Sequence, residues 1–118
     1  MGASKYENIL KENNKDIKFA IRNNLPDNLI SRLTLNDKKL TEIKASISKI
    51  IKLNDPTNQV IDRWKSPNGL IIKKVSTPIG VIGIIYESRP NVTSDVASLC
   101  FKSGNVVILR GGSEAVSY

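Results

Sequence analysis

Apolar residues in the first half of the chain recur every three or four positions, between polar residues that are mostly lysine and asparagine. This spacing is typical of helices that bury one face. Three helices are predicted, over residues 4–23, 27–33 and 37–53. The apolar positions of the third helix lie on one face: Leu40, Ile43, Ile47, Ile50 and Ile51. Asn36 is a suitable N-cap for it, and Asp55-Pro56 is expected to end it. The pattern predicts a helical segment over residues 1–55.

The apolar spacing changes at Gln59, where a strand-rich half begins. Two extended segments, Gln59–Trp64 and Leu70–Val75, flank the turn sequence Ser66-Pro67-Asn68-Gly69. Proline, asparagine and glycine in this order favour a chain reversal. Residues 56–77 are therefore predicted to form a β-hairpin and its linkers.

Residues 78–118 show the pattern of a βαβ unit. The run "IGVIGIIY" is apolar on both faces, which predicts a strand buried in a parallel sheet. A helix is expected over about residues 94–103, with Thr93 or Asn91 as its N-cap and Gly104 as its left-handed stop. The segment "NVVIL" predicts a second buried strand, and a further helix is expected to begin after Ser113. The fold class predicted for the chain is α/β, in which a helical half and a hairpin precede the first βαβ unit of a Rossmann-like domain.

Composition narrows the function classes. A chain of 118 residues forms one ordinary domain, and no apolar run is long enough for a signal peptide or a membrane span. The single cysteine cannot form an internal disulfide, so a cytoplasmic location is expected. The net charge of +7 is compatible with a nucleic-acid surface, but the lysines within residues 5–74 form no dense block and aromatic residues are few. Solvated helix faces are the favoured interpretation.

The loop after the second βαβ strand is a candidate phosphate site. Arg110 ends that strand, and Gly111, Gly112 and Ser113 follow it. Glycines allow close approach of a ligand, the start of a helix favours an anion, and a guanidinium matches a phosphate. The alternative is an ordinary tight turn, since the Gly-x-Gly-x-x-Gly fingerprint of dinucleotide sites is absent.

Asn91 and Cys100 are the other candidates for chemistry. Asn91 follows a buried strand at the ligand-binding edge of the sheet, where its amide suits a developing oxyanion; the alternative is a helix cap. Cys100 is predicted near the C-terminal end of a helix, on its apolar face. A reactive thiolate needs an electropositive, exposed position, and the chain has no histidine to activate one. Cys100 is therefore interpreted as a core residue.

The stretch "PIGVIGIIYESRPNVTSDVASLCFKSGNVVILRGGSEA" resembles the signature region of the γ-glutamyl phosphate reductase family, in the aldehyde dehydrogenase superfamily. The resemblance continues upstream through "NDPTNQVID" and "LISRLTL" to about "ILKENNKD". It implies an NADPH-dependent reduction of γ-glutamyl phosphate to glutamate 5-semialdehyde in proline synthesis. In this reaction a cysteine thiolate displaces phosphate and the resulting thioester is reduced.

The resemblance also implies roles for individual residues. Asn91 matches the asparagine that helps hold the oxyanion. Ile85 and Tyr86 match the strand end along the cofactor, and the loop from Arg110 to Ser113 matches the surroundings of the 2′-phosphate of NADPH. Cys100 matches a position in the cofactor-domain helix and not the nucleophile. No metal site is implied.

Members of the family are longer at both ends, so the resemblance implies an N-terminal fragment without the domain that carries the nucleophile. The first hypothesis is a reductase fragment that has no catalysis of its own. The second is an interaction module that pairs with a complementary chain or with itself. A basic nucleic-acid-binding domain is the least favoured. A βαβ unit with one helix incomplete cannot cover both faces of its sheet, so exposed apolar surface is expected.

Overall fold

A computed structural model describes residues 3–87 and 89–113, and side chains from Lys5 onwards. Within these ranges the elements in chain order are four helices and four strands: α1 (Ala3–Arg22), α2 (Asp27–Leu33), α3 (Asp37–Lys52), β1 (Val60–Lys65), β2 (Ile71–Val75), β3 (Val81–Ile85), α4 (Pro90–Lys102) and β4 (Val106–Arg110). The α/β class and the order of elements are as predicted. The helix expected after Ser113 lies outside the described residues.

The three N-terminal helices are joined through a buried asparagine. Asn13 of α1 donates from Nδ2 to the carbonyl of Leu33 at 2.9 Å, and its Oδ1 accepts from the backbone N–H of Leu35 at 2.8 Å. At the start of α3, Asn36 Oδ1 accepts from the N–H of Lys39 at 2.9 Å, which confirms the predicted cap. Buried apolar residues include Ala20, Leu33, Leu35, Leu40, Ile50 and Cys100.

Strands β1 and β2 form an antiparallel hairpin in which Trp64 faces Ile72. The turn closes with a hydrogen bond from the N–H of Ser66 to the carbonyl of Leu70 at 2.7 Å. Gly69 adopts a φ of 91°, which favours glycine there. Every residue of both strands is exposed, so the hairpin packs neither face against a core within the part of the chain that the structure describes.

Strands β3 and β4 pair in parallel, with α4 as the crossover helix and packed against β4. The prediction that both strands are buried on both faces is wrong for the described residues. Exposed and half-buried positions alternate along each strand, because α4 covers one face and no other described element covers the second. A strand that is apolar on both faces is typical of a sheet covered on both sides, whereas the described residues cover only one side of β3 and β4.

The prediction that Asn91 or Thr93 caps α4 is also wrong. Helix α4 begins at Pro90 with Arg89 in the N-cap position, and no side chain in the described part of the chain caps it. Proline at the first helical position fixes φ in the helical range and lacks an N–H that would need a partner, so the helix starts upstream of both candidates. The predicted C-terminal stop is confirmed: Gly104 has a φ of 72°, and its N–H donates to the carbonyl of Phe101 at 3.0 Å.

The chain exposes an unusually large surface for its size. Its accessible area is 8771 Å², whereas a compact protein of 13.0 kDa exposes about 6,300 Å². Its radius of gyration of 19.9 Å exceeds the ~13–14 Å of a compact domain of this length. Much of the excess is apolar: Ile79, Ile85 and Phe101 are each more than four-fifths exposed, which confirms the expected uncovered surface.

Membrane insertion through a helix has no support in the described ranges. None of the helices between residues 3 and 113 combines the length and the apolar character needed to cross a bilayer.

Candidate functional site

The predicted cofactor residues of two strands meet at one edge of the β3–β4 sheet. Ile85 and Arg110, the last residues of these strands, are paired in register. The N–H of Tyr86 donates to the carbonyl of Arg110 at 3.1 Å. This edge is the carboxyl end of both parallel strands, where open α/β sheets place their ligands.

Tyr86 connects this edge to the crossover helix. Its hydroxyl lies 2.7 Å from the hydroxyl of Thr93 in α4, and both side chains are half-buried. Gly111 passes close to the tyrosine, because a Cβ atom placed on it would lie 3.5 Å from Tyr86 Oη. The hydrogen bond and the close approach fix the start of the Gly111–Gly112 loop against β3.

The donors around this loop suit a phosphate group. The guanidinium of Arg110 is exposed at the strand end, and Ser113 adds an exposed hydroxyl. Gly111 and Gly112 between them carry no side chain that would keep an anion from the backbone N–H groups. The residues present therefore fit the phosphate of a nucleotide.

Asn91 belongs to a different part of the surface. It lies exposed in the first turn of α4, where its carbonyl accepts from Ser94 Oγ at 2.9 Å. It lines a cavity of about 290 Å³ between this turn and helices α2 and α3, and Arg110 is not among the residues that line that cavity. Asn91 thus lies beside a cavity that the sequence did not predict.

Four charged residues of this cavity were missed by the sequence analysis: Arg32, Lys39, Glu42 and Asp95. Asp95 had a local signal, because it follows Asn91 by four residues and so shares its helix face. The other three had none. They come from helices far from Asn91 in sequence: α3 packs against α4 and brings Lys39 and Glu42 near it, whereas Arg32 of α2 is linked to Glu87 in the loop before α4.

Ion pairs link one cavity residue, Arg32, to the loop after β3. Arg32 NH1 lies 2.8 Å from Glu87 Oε2, which joins α2 to the loop after β3. Arg89 NH2 lies 3.6 Å from the same oxygen, as expected for neighbours in that loop. All three side chains are substantially exposed, so these pairs orient the loop more than they stabilise the fold.

Cys100 lies in the last turn of α4 and is 7% exposed. Its position at the negative end of a helix and its burial are the opposite of the setting that activates a thiol. Across the described ranges, no group of three or more acidic, histidine or cysteine side chains is arranged to hold a metal ion.

Curated relatives match nearly the whole chain. The γ-glutamyl phosphate reductase of Nautilia profundicola is 56% identical over 108 residues, which are 92% of this chain and 26% of that protein. The enzyme of the same name from Clostridium botulinum strain Alaska E43 is 49% identical over an alignment of 120 positions, which covers 99% of this chain and 29% of the relative. No protein-family model matches the chain.

Solved structures agree with these relatives. The crystal structure of γ-glutamyl phosphate reductase from Thermotoga maritima superposes with a TM-score of 0.91 at 45% identity, over 97% of this chain and 28% of that one. The chain thus matches one part of γ-glutamyl phosphate reductases. The Saccharomyces cerevisiae reductase also superposes with a TM-score of 0.91, at 34% identity. The match lies in the N-terminal region of the reductase structures, and the chain spans little more than a quarter of the length of the curated relatives.

Proposed function

We propose that this chain supplies the N-terminal part of an NADPH-dependent reductase that converts γ-glutamyl phosphate to glutamate 5-semialdehyde in proline biosynthesis. The observation that carries the proposal is the match to reductases of that name over 92–99% of the chain at about half identity. The proposal divides the chain into a helical segment (1–55), a hairpin (56–77) and a partial cofactor-binding unit (78–118).

The β3–β4 edge takes the cofactor in this proposal. Arg110 and Ser113 donate to the 2′-phosphate of the adenosine, and the Gly111–Gly112 backbone approaches it closely. Ile85 and Tyr86 form the strand end along which the cofactor lies, and the Tyr86–Thr93 hydrogen bond keeps that strand end in place. NADPH supplies the hydride of the reaction when it is bound.

Asn91 acts on the substrate in this proposal. Its side-chain amide donates to the oxygen of the acyl group as negative charge develops there. Such a donor accelerates acyl transfer because it is already oriented when the charge appears. The proposal is supported by the exposed position of Asn91 beside a cavity large enough for a small acyl phosphate.

The nucleophile in this proposal is not Cys100. That thiol is buried, and Cys100 is the only cysteine of the sequence, so the attacking thiolate comes from outside these 118 residues. The chain alone is therefore expected to show no turnover and to bind NADPH weakly.

A chimera tests this function directly. Residues 1–118 replace the matching segment of the Thermotoga maritima enzyme, and NADPH oxidation is measured with enzymatically generated γ-glutamyl phosphate. The chimera is expected to turn over, while the 118-residue chain and the Thermotoga remainder are each inactive alone. An inactive but folded chimera contradicts the proposal. Turnover by the chain alone that Cys100→Ser abolishes would overturn the assignment of Cys100.

A second candidate is an interaction module, and the uncovered apolar surface around Ile79 and Phe101 favours it. In this alternative the chain pairs with a separately made remainder or with a second copy. Recovery of activity on mixing the chain with the Thermotoga remainder would support the first form. A concentration-dependent dimer in sedimentation experiments would support the second, and a monomer that restores no activity argues against both.

A further inference from the structure

The cavity beside Asn91 contains carboxylates that lack partners. Asp95 Oδ1 is buried and accepts no hydrogen bond. Glu42, on α3 across the cavity, takes part in no hydrogen bond or ion pair with any described residue. A buried carboxylate oxygen without a donor is costly, because it has lost its hydration without a replacement. Glu42 is exposed and adds negative charge to the same cavity, so the unsatisfied oxygen of Asp95 and the carboxylate of Glu42 together favour a cationic group between them.

The basic residues of the same cavity do not meet this need. Lys39 Nζ donates to the carbonyls of Ser31 and Thr34, at 3.0 and 2.6 Å, at the C-terminal end of α2. Arg32 is paired with Glu87. Both cations are held on the α2 side of the cavity. Positive charge on that side and free negative charge towards Asp95 form an arrangement that suits the head group of an amino acid, which carries both charges.

The spacing of Asn91 and Asp95 sets the length of ligand that fits. They are four residues apart on one face of α4, so about one turn, or ~5.4 Å along the axis, separates them. In γ-glutamyl phosphate the acyl carbon and the α-nitrogen are separated by three carbons, a reach of about 5 Å at ~1.5 Å per bond. An acyl group beside Asn91 therefore places the α-ammonium beside Asp95.

We infer that Asp95, assisted by Glu42, binds the α-ammonium group of the substrate and thereby selects an amino-acid acyl phosphate over one without the amino group. The inference rests on the proposed function, because that function places the acyl carbon at Asn91. Lys39 and Arg32 face the α-carboxylate from the opposite side. The cavity between α3 and α4 is then the specificity pocket of the reductase.

The reverse reaction of the chimera, in which an aldehyde is oxidised with NADP+ and phosphate, tests this inference. Two aldehydes are compared, glutamate 5-semialdehyde and 5-oxopentanoate, which lacks only the amino group. Asp95→Asn is expected to lower kcat/KM for the amino aldehyde by about 10- to 100-fold, as for the loss of one charge-assisted hydrogen bond, and to leave 5-oxopentanoate little changed. Glu42→Gln should act in the same direction with a smaller effect, and its exposed position makes misfolding an improbable cause.

Glu12→Gln is the matched control, since it removes the same charge from an exposed pair with Lys15 on α1. This control should leave kcat/KM unchanged for both aldehydes. If Asp95→Asn and Glu42→Gln lower kcat/KM equally for both aldehydes, the inference is wrong. The proposed function still stands in that case, because the unsubstituted chimera is active.

An inactive chimera would sink the proposed function, and direct binding then decides the inference. The full 118-residue chain is titrated with L-glutamate or glutarate, and amide shifts of α4 are followed by NMR. Shifts with L-glutamate that glutarate does not produce and that Asp95→Asn removes support the ammonium site. Equal shifts, or none, overturn it.

Discussion

The side-chain amide of Asn13 and the carbonyl of Leu33 form a buried hydrogen bond of 2.9 Å. The same side chain accepts from Leu35, so one asparagine holds both sides of the α2–α3 connection against α1. Two backbone groups that water cannot reach are satisfied in this way. The connection keeps α3 at the position from which it lines the cavity beside Asn91.

Asn13→Ala is expected to destabilise the chain by about 1–3 kcal/mol, because it leaves both backbone partners buried and unpaired. The neighbouring Asn14→Ala is the control, since Asn14 is exposed and its replacement should change stability by less than about 0.5 kcal/mol. Urea unfolding followed by circular dichroism measures both. Equal effects of the two variants would show that the buried bonds contribute nothing beyond helix propensity.

Gly104→Ala is expected to cost about 1–3 kcal/mol, because residue 104 holds a left-handed conformation and a new Cβ would lie 3.0 Å from Pro78 Cγ. Gly83→Ala provides the comparison, since a Cβ there meets no atom within 4 Å. Thermal unfolding of the two variants separates the cost of strain at residue 104 from the cost of a glycine-to-alanine change in itself. If Gly83→Ala proves the more destabilising, backbone strain is not the reason for glycine at 104.

The pKa of Asp55 lies below its ordinary value of 3.8, because the hydroxyl and then the N–H of Thr57 donate to the carboxylate. A lowered pKa in the folded state means that this contribution to stability is present above the ordinary pKa and is lost as pH falls through the folded-state value. Thr57→Val removes the hydroxyl donor and should raise the pKa of Asp55 towards 3.8.

The measurement is an NMR titration of the Asp55 side-chain carboxyl carbon through the acid range. Thr41→Val removes a threonine hydroxyl that donates to the backbone carbonyl of Asp37, and it is the control for the substitution itself. An Asp55 midpoint that is the same in Thr57→Val as in the unmodified chain would exclude the hydroxyl as the main cause.

Asn91→Ala in the chimera is expected to lower kcat by about 100- to 1,000-fold with little change in KM, since an oxyanion donor acts mainly in the transition state. The melting temperature should stay the same, because Asn91 is exposed and does not cap α4. Asn8→Ala, an exposed change in α1, is the control. A loss of activity that tracks a fall in melting temperature would assign Asn91 a structural role instead.

Much of the fold was predictable because its signals are local. The spacing of apolar residues defined α3 to within one residue, and Asn36 marked its start because a capping side chain bonds only three residues ahead. Gly104 marked the end of α4 for the same reason, since a left-handed residue ends a helix without help from distant groups.

The candidate site was less predictable because it depends on distant contacts. The pairing of Ile85 with Arg110 followed from the βαβ pattern. The contact between Arg32 and Glu87 joins residues 55 positions apart, and no local sequence pattern predicts it. Asn13 is buried although it is polar, because its side chain satisfies two backbone groups that lie far from it in sequence.

The β1–β2 hairpin is expected to open more readily than the packed helices α3 and α4. A lone two-stranded hairpin is marginally stable in water, and no residue of these strands is buried. Its backbone amides should therefore exchange with solvent deuterium long before those around Leu40 and Cys100, which are protected by the packing of α3 and α4. Fluorescence of Trp64, the single tryptophan, then reports fraying of the hairpin and not unfolding of the helices.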